Sequence, residues 1–121
     1  MTELVTMDRC AAYVAARGAL AAVARAAPGW PEVLAAQARD AAICAVMTTA
    51  QSLGHPSASA ARRRCLRDAL ASAIELAATC DVVRATGVAG HDTERAQRMA
   101  GRSIALLGLL LHASTHVVDD D

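Results

Sequence analysis

The chain has 121 residues, which is the usual size of a single domain. Its 31 Ala and 12 Leu, against one Trp, one Tyr and no Phe, favour helices and argue against an all-β fold. Twelve Arg balance twelve Asp and Glu, so the bulk charge argues against a strongly basic nucleic-acid-binding protein.

The chain begins with a segment that is unlike a signal peptide. Glu3 and Asp8 occur within residues 1–9, where a signal peptide needs a cationic start and then an apolar core. The most apolar stretch, residues 104–111, is much shorter than the roughly 20 residues of a membrane-spanning helix. The sequence therefore predicts a cytoplasmic protein without a membrane span.

The first helix is predicted over about residues 6–27. Pro28 and Gly29 end it, because proline interrupts a helix and glycine favours the carboxyl end. Five residues recur at helical spacing and form the expected core face: Tyr13, Val14, Leu20, Val23 and Ala24.

The second helix is predicted over about residues 31–53. Pro31 suits a first helical turn, Glu32 complements the helix dipole there, and the Gly-His-Pro run at 54–56 ends the helix. No Asp, Glu, Lys or Arg occurs from residue 41 to residue 61. A helix that faces solvent normally carries charges, so we expect this one to be covered on more than one side.

The third helix is predicted over about residues 58–86, with Ser57 or Ser59 as its amino-terminal cap and Gly87 beyond its end. Its expected core positions recur at offsets of three and four: Leu66, Ala69, Leu70, Ala73, Ala77 and Cys80.

The fourth helix is predicted over about residues 93–117, with Asp92 or Thr93 as its cap. The expected seam follows the same alternation: Ala96, Met99, Ser103, Leu106, Leu110, Ala113 and Val117.

Four helices with short connections predict an all-α fold, an antiparallel up-down four-helix bundle that forms one domain over residues 1–121. Alanine buries little area, so we expect a single bundle to be weakly stabilised. The leucines of residues 106–111 spread over about 200° of the helix, which is wider than one core absorbs. We therefore expect a homo-oligomer whose interface includes Ile43, Met47, Leu107, Leu109 and Leu111.

The cysteines are widely spaced and form no C-x-x-C motif. Each lies in an apolar helical pattern, which favours reduced thiols in the core over a disulfide or a metal site. The four are Cys10, Cys44, Cys65 and Cys80.

Two stretches carry a resemblance to a known family. Residues 37–43, Gln-Ala-Arg-Asp-Ala-Ala-Ile, are similar to its Q-x-R-R-A-A-V stretch. An L-x-x-A-x-G-S-x-x-E-L run is matched, with Ala71 at the position of its Gly, by Leu66, Ala69, Ser72, Glu75 and Leu76. These stretches resemble the four-helix-bundle proteins encoded in intervening sequences of 23S ribosomal RNA genes, the S23 family.

The resemblance extends over about residues 28–117, since Pro28, Glu32 and Leu34 fall near a P-x-x-E and a following Leu of that family. It implies a bundle that assembles as a homopentameric ring. It also implies kinship with the accessory proteins of diversity-generating retroelements, which are basic and bind nucleic acid and a reverse transcriptase. The chain departs from the family at residues 48–52, where Thr-Thr-Ala-Gln-Ser replaces N-I-A-E-G.

The densest basic cluster stands at the start of the third helix and consists of Arg62, Arg63, Arg64 and Arg67. The helix dipole disfavours cations there, so we expect a compensating partner. A phosphate backbone would compensate, because guanidinium groups bind phosphate bidentately and release counterions. Pairing with Asp68, Asp92 or a neighbouring subunit's carboxylates, or simple solvation, is the alternative. No stacking aromatic residue accompanies the cluster.

Two further groups of residues favour structural roles. His112 and His116 share a helix face near Asp119 and Asp120, but the chain has no E-x-x-H motif, so we expect surface or interface histidines and no metal. Cys65 is near a helix amino terminus, the position that would activate a catalytic thiol, yet a core role is favoured.

A polar pair is expected between the second and third helices. Arg39 and Glu75 both lie inside the family-like stretches, and their opposite charges favour a structural or subunit-bridging salt bridge.

Phosphate-binding loops, G-x-S-x-G, H-E-x-x-H and paired catalytic carboxylates do not occur in the sequence. We therefore expect a non-catalytic protein without a cofactor, a ring-forming scaffold for RNA or for a nucleic-acid enzyme. Two alternatives stay open: a protein-interaction scaffold without nucleic acid, and a binder of a small ligand or metal in the pore of the ring.

Overall fold

The computed structural model describes residues 7–120, with side chains described for residues 7–114. It contains four long helices: α1 (Ala11–Ala26), α2 (Glu32–Ser52), α3 (Ala60–Ala85) and α4 (His91–Asp120). A 3-10 turn, Ala27–Gly29, links α1 to α2, a short helical segment at 7–9 precedes α1, and no strand occurs in the described residues. The expected all-α fold is confirmed.

Some expectations concern residues outside this description. These are the argument against a signal peptide, which uses Glu3, and the start of the first helix near Thr6. The roles expected of four side chains also fall outside it: His116, Val117, Asp119 and Asp120.

The helices form an antiparallel bundle. Each helix packs against its neighbours in the chain, and α4 returns to pack against α1. Arg84 near the end of α3 bonds to Gln97 near the start of α4, and Ser114 of α4 bonds to Ser57 just before α3. The expected up-down topology is confirmed, and it places α2 and α4 parallel to each other at opposite corners. None of the described helices combines the length and apolarity that crossing a membrane requires.

Local signals set most helix ends. Ser59 caps α3, because its Oγ accepts a hydrogen bond from the Arg62 N–H at 3.1 Å. α1 begins at Ala11, separate from the short helical segment at 7–9, because Cys10 between them has extended backbone angles (φ −85°, ψ 107°). α4 begins at His91, so Asp92 and Thr93 lie inside its first turn and neither is the cap.

Alanine makes up most of the core. Among the described residues it supplies 15 of the 23 buried apolar side chains. The larger buried side chains form two clusters, one around Trp30 and Val23 and the other around Leu66 and Leu107. Small side chains at the contacts let the helices approach closely, which places longer side chains beside the contacts.

This packing changes two of the expected core faces. On α1 only Val23 of the five expected residues is fully buried, and the buried stripe is Ala12, Ala15, Ala16, Ala19 and Ala22. On α4, Ala96 and Ser103 are buried as expected, but Ala113 is exposed and Met99, Leu106 and Leu110 are half-buried. The α4 stripe instead consists of Thr93, Ala96, Ala100, Ser103, Leu107 and Ser114. The seam expected on α3 is confirmed, with Leu70 and Ala77 half-buried at its edge.

One buried hydrogen bond ties the start of α2 to the start of α4. The Trp30 indole Nε1–H donates to the Thr93 hydroxyl at 3.0 Å, and both residues are buried. By contrast, Thr49, Ser52 and Ser103 donate to carbonyls within their own helices. The Trp30–Thr93 bond is therefore a tertiary bond that holds one end of the bundle together.

Replacing Thr93 by Val should lower the free energy of unfolding by about 1–3 kcal/mol, because the indole N–H then stays buried without an acceptor. Urea denaturation followed by circular dichroism at a fixed protein concentration measures the change. Thr48→Val is the matched control: its half-buried hydroxyl bonds to the Cys44 carbonyl one turn earlier, and we expect a change below about 0.5 kcal/mol. Equal losses in the two variants would contradict the tertiary role of Thr93.

Candidate assembly faces and arginine cluster

The outer face of α2 consists of Val33, Asp40, Ile43, Cys44 and Met47. Val33 is 78% exposed, Met47 54% and Ile43 47%, so three large apolar side chains contact solvent. The bundle covers only the opposite side of this helix, where Ala38, Ala42 and Ala45 are buried. The expectation that α2 is covered on more than one side is therefore not met within one chain.

The outer face of α4 consists of Arg95, Arg98, Arg102, Ala105 and Leu109. Leu109 is 66% exposed. Towards α1, Leu109 borders an apolar groove of about 280 Å³, whose floor includes Cys10, Ala12, Leu106 and Leu110. Leucine and arginine thus share one exposed side of this helix.

Two of the leucines expected at an interface lie elsewhere. Leu107 is 0% exposed and belongs to the core, because it lies four residues after Ser103 on the buried stripe of α4. Its assignment to an oligomer interface is wrong. Leu111 is half-buried and packs against the core cluster around Leu66, so it contributes only part of its side chain to the surface.

The arginine stripe of α4 is a feature that the sequence reasoning missed. Arg95, Arg98 and Arg102 are all exposed, and their spacing of three and four residues aligns them on one side of the helix. These arginines are not adjacent in the sequence, but their spacing of three and four residues is the signal that would have identified them. At the start of the stripe, Arg84 donates to the Gln97 side-chain oxygen at 2.7 Å across the α3–α4 contact.

The arginine cluster at the start of α3 is partly held by the loop before it. Arg62 donates to the His55 carbonyl at 3.4 Å and Arg63 to the Ala58 carbonyl at 3.1 Å. These carbonyls supply the compensation that the helix dipole requires, and in the described part of the chain the cluster makes no ion pair with Asp68 or Asp92. The other two members, Arg64 and Arg67, are exposed.

The expected polar pair between α2 and α3 has a different partner. The Gln37 side-chain N–H donates to a Glu75 carboxylate oxygen at 3.4 Å, and Arg39 is exposed. Position 39 is two residues beyond position 37, which rotates it by about 200° around the helix. Arg39 therefore faces away from the edge of α2 that contacts α3, so the Arg39–Glu75 pair does not form within one chain, and the pair between subunits stays a prediction.

The four cysteines are free but only one is a fully buried core thiol. Cys80 is buried, and burial raises the pKa of its thiol to about 11. Cys10 and Cys65 are half-buried. Cys44 is exposed, so its assignment to the core is wrong: the buried side of α2 passes through Ala41, Ala42 and Ala45, and residue 44 falls on the outer face.

The histidines of α4 assemble no metal site within the described residues. His112 is exposed, and among the residues with described side chains no group of three or more His, Cys, Asp or Glu is placed to hold a metal ion.

Comparisons of the chain with protein-family models, with curated proteins and with solved structures give no match. The resemblance to the S23 family therefore stays a prediction from residues 37–43 and 66–76. Those stretches lie on α2 and α3, which pack against each other, and several of the shared residue types are core positions: Ala41, Ala42, Leu66, Ala69 and Leu76.

Thiol labelling distinguishes the core cysteine from the others. At pH 8 a pKa of about 11 leaves roughly one Cys80 in a thousand as the reactive thiolate, and burial also blocks the reagent. We expect the slowest labelling phase of the native protein to disappear in Cys80→Ala and to persist in Cys44→Ser. Labelling of Cys80 in the native state as fast as in the denatured chain would contradict its burial.

Proposed function

We propose that the protein is a non-catalytic cytoplasmic scaffold that assembles into a ring of identical subunits. The ring holds nucleic acid, or an enzyme acting on it, against arginines at one end. The observation that carries the proposal is the exposure of large apolar side chains on two opposite corners of the bundle, Ile43 and Met47 on α2 and Leu109 on α4; α3 also exposes Ile74 and Val82, which lie outside the proposed contact.

The position of these faces favours a ring over a symmetric dimer. α2 and α4 lie at opposite corners of the bundle, so a two-fold contact through one face leaves the other uncovered. A head-to-tail contact, in which α4 of one subunit meets α2 of the next, uses both faces of every subunit. Closure of that contact gives a ring, and five subunits is the number that the family resemblance implies.

The composition of the core gives an energetic reason to assemble. Alanine buries much less area than leucine, at a gain of about 25 cal/mol per Å² of apolar surface. With 15 alanines among the 23 buried apolar residues described, one bundle gains little from its core. Covering Ile43, Met47 and Leu109 with a second copy adds apolar burial that the single chain lacks.

The arginine cluster at the start of α3 supplies the nucleic-acid surface of this proposal. A guanidinium has five N–H donors, so the loop bonds of Arg62 and Arg63 orient these side chains and leave donors for phosphate. The exposed Arg64 and Arg67 extend the cluster along α3. In a ring the cluster recurs once per subunit, and simultaneous contacts raise the overall affinity for a polyanion.

A protein-interaction scaffold without nucleic acid is the second candidate. The net charge of zero favours it, as do the loop carbonyls that already hold Arg62 and Arg63. The same ring would then present its end to an acidic protein surface.

Assembly is tested first. Leu109→Arg and Met47→Arg each place a charge inside the proposed contact, so we expect dissociation to subunits of 12.5 kDa at micromolar concentration. Light scattering coupled to size exclusion measures the mass, and circular dichroism confirms that each variant is folded. Val82→Arg, at a 48% exposed position on α3, is the matched control and should leave the assembly intact. A monomeric or dimeric parent protein would overturn the ring, whereas a tetramer would correct only the number of subunits.

Nucleic-acid binding is tested separately. Replacing Arg64 and Arg67 by Ala should weaken binding to single-stranded RNA and lower the slope of log K against log salt by about 0.7 per lost phosphate contact. The matched control, Arg25→Ala with Arg39→Ala, removes the same charge from exposed positions outside the cluster and should keep the parent slope. No retention of RNA or DNA by the parent protein at low salt would reject nucleic acid and favour the protein-interaction scaffold.

A further inference from the structure

The outer faces of α2 and α4 carry opposite charges. On α2 the exposed charged residues are Glu32, in its first turn, Arg39 and Asp40, and of these Asp40 lies on the outer face. On α4 three exposed arginines, Arg95, Arg98 and Arg102, outnumber the exposed Glu94, which lies one turn before Arg98, so this side of the helix is basic on balance. On α2 the exposed Val33 and Asp40 precede Ile43 and Met47, and on α4 the arginines precede Leu109.

The two helices also begin at the same level. They run in the same direction, and the hydrogen bond from Trp30, two residues before α2, to Thr93 in the first turn of α4 brings their amino ends to one end of the bundle. Distances along the bundle are counted from Glu32 on α2 and from Thr93 on α4, which the Trp30 bond places within about one side-chain length of the same level. We call this distance the depth of a residue.

Equal depths pair opposite charges and apolar side chains. With a rise of about 1.5 Å per residue, Asp40 has a depth of about 12 Å and Arg102 of about 14 Å. Met47 has a depth of about 23 Å and Leu109 of about 24 Å by the same rise. Glu32 and Arg95 both lie within about 3 Å of the common end.

A ring imposes a condition on depth. When copies are related by rotation about an axis parallel to the bundle, all of them lie at the same height, so residues that meet across a contact have equal depth. The exposed residues of α2 and α4 meet this condition at three levels, two of opposite charge and one apolar.

We propose that the α4 outer face of one copy docks in level register on the α2 outer face of the next copy. Asp40 then pairs with the neighbouring copy's Arg102, Glu32 pairs with its Arg95, and Met47 packs against its Leu109. The occupant of both faces is a second copy of this chain. This inference rests on the proposed ring and specifies the contact that closes it.

The charges also explain why the contact is head to tail. A two-fold contact about an axis parallel to the bundle brings Asp40 against Asp40 when two α2 faces meet, and Arg98 and Arg102 against the same arginines when two α4 faces meet. Like charges across an interface disfavour both arrangements. The apolar residues alone do not distinguish the three contacts, so the charges select the pairing of α4 with α2.

Charge reversal tests the pairing. Asp40→Arg and Arg102→Asp each place like charges at one level of every contact, and we expect each to weaken assembly about tenfold or more. The double variant restores opposite charges in every contact and should recover the parent assembly. Sedimentation velocity over a concentration series measures the change. Arg25→Asp, an exposed reversal on α1, is the control for a general effect of charge.

Cross-linking tests the register with a native thiol. Cys44 is exposed on the α2 outer face, and its depth of about 18 Å equals that of the exposed Ala105 on α4. Mild oxidation of Ala105→Cys should give a ladder of covalent multimers on a non-reducing gel, whose largest closed species reports the number of subunits. Ala113→Cys, about 12 Å deeper, should give no ladder, and Cys44→Ser should abolish the ladder of Ala105→Cys.

The outcomes separate this register from the ring itself. A monomeric or dimeric parent protein overturns both. If the parent assembles and Leu109→Arg disrupts it, the register alone is overturned by any of three results. These are single reversals that assemble like the parent, a double variant that does not recover, and a ladder from Ala113→Cys but not from Ala105→Cys.

Discussion

Close approach of the helices through alanine is the constraint on which the rest of the structure depends. The contact stripe of α1 is made of Ala12, Ala15, Ala16, Ala19 and Ala22, and α2 contributes Ala38, Ala42 and Ala45. Side chains this small leave room only for a few large residues, which gather around Trp30 at one end and Leu66 at the other. The core is therefore thin and divided into two clusters, and the tertiary hydrogen bond from Trp30 to Thr93 holds the end where α2 and α4 begin.

The same constraint moves large apolar residues to the outside. Ile43, Met47 and Leu109 find no space at the alanine contacts and stay exposed. A chain with this distribution has less to gain from folding alone than from folding with a partner, which is the physical basis of the proposed ring. The thin core and the proposed assembly thus both follow from the small size of alanine at the helix contacts.

The net charge of zero conceals an uneven distribution. Exposed arginines follow one side of α4, whereas α2 carries the exposed carboxylates Glu32 and Asp40. Arg62 and Arg63 donate hydrogen bonds to loop carbonyls and form no ion pair with a carboxylate in the described part of the chain. The exposed carboxylates on α2 are therefore not paired with this cluster. Bulk charge argues correctly against a uniformly basic surface, yet it says nothing about faces of opposite sign on one bundle.

The sequence by itself determined the all-α class, the order of four helices and most of their ends, because signals such as Pro28, Ser59 and Gly87 act within a few residues. Only the tertiary structure decided how each helix is rotated in the bundle. Periodicity locates an apolar stripe, but when alanine is everywhere several rotations fit the pattern equally well, and the close contacts select one. The resulting rotations bury Leu107 and expose Cys44. They also place Gln37 where it donates a hydrogen bond to Glu75, and they align the arginines of α4 on an outer face.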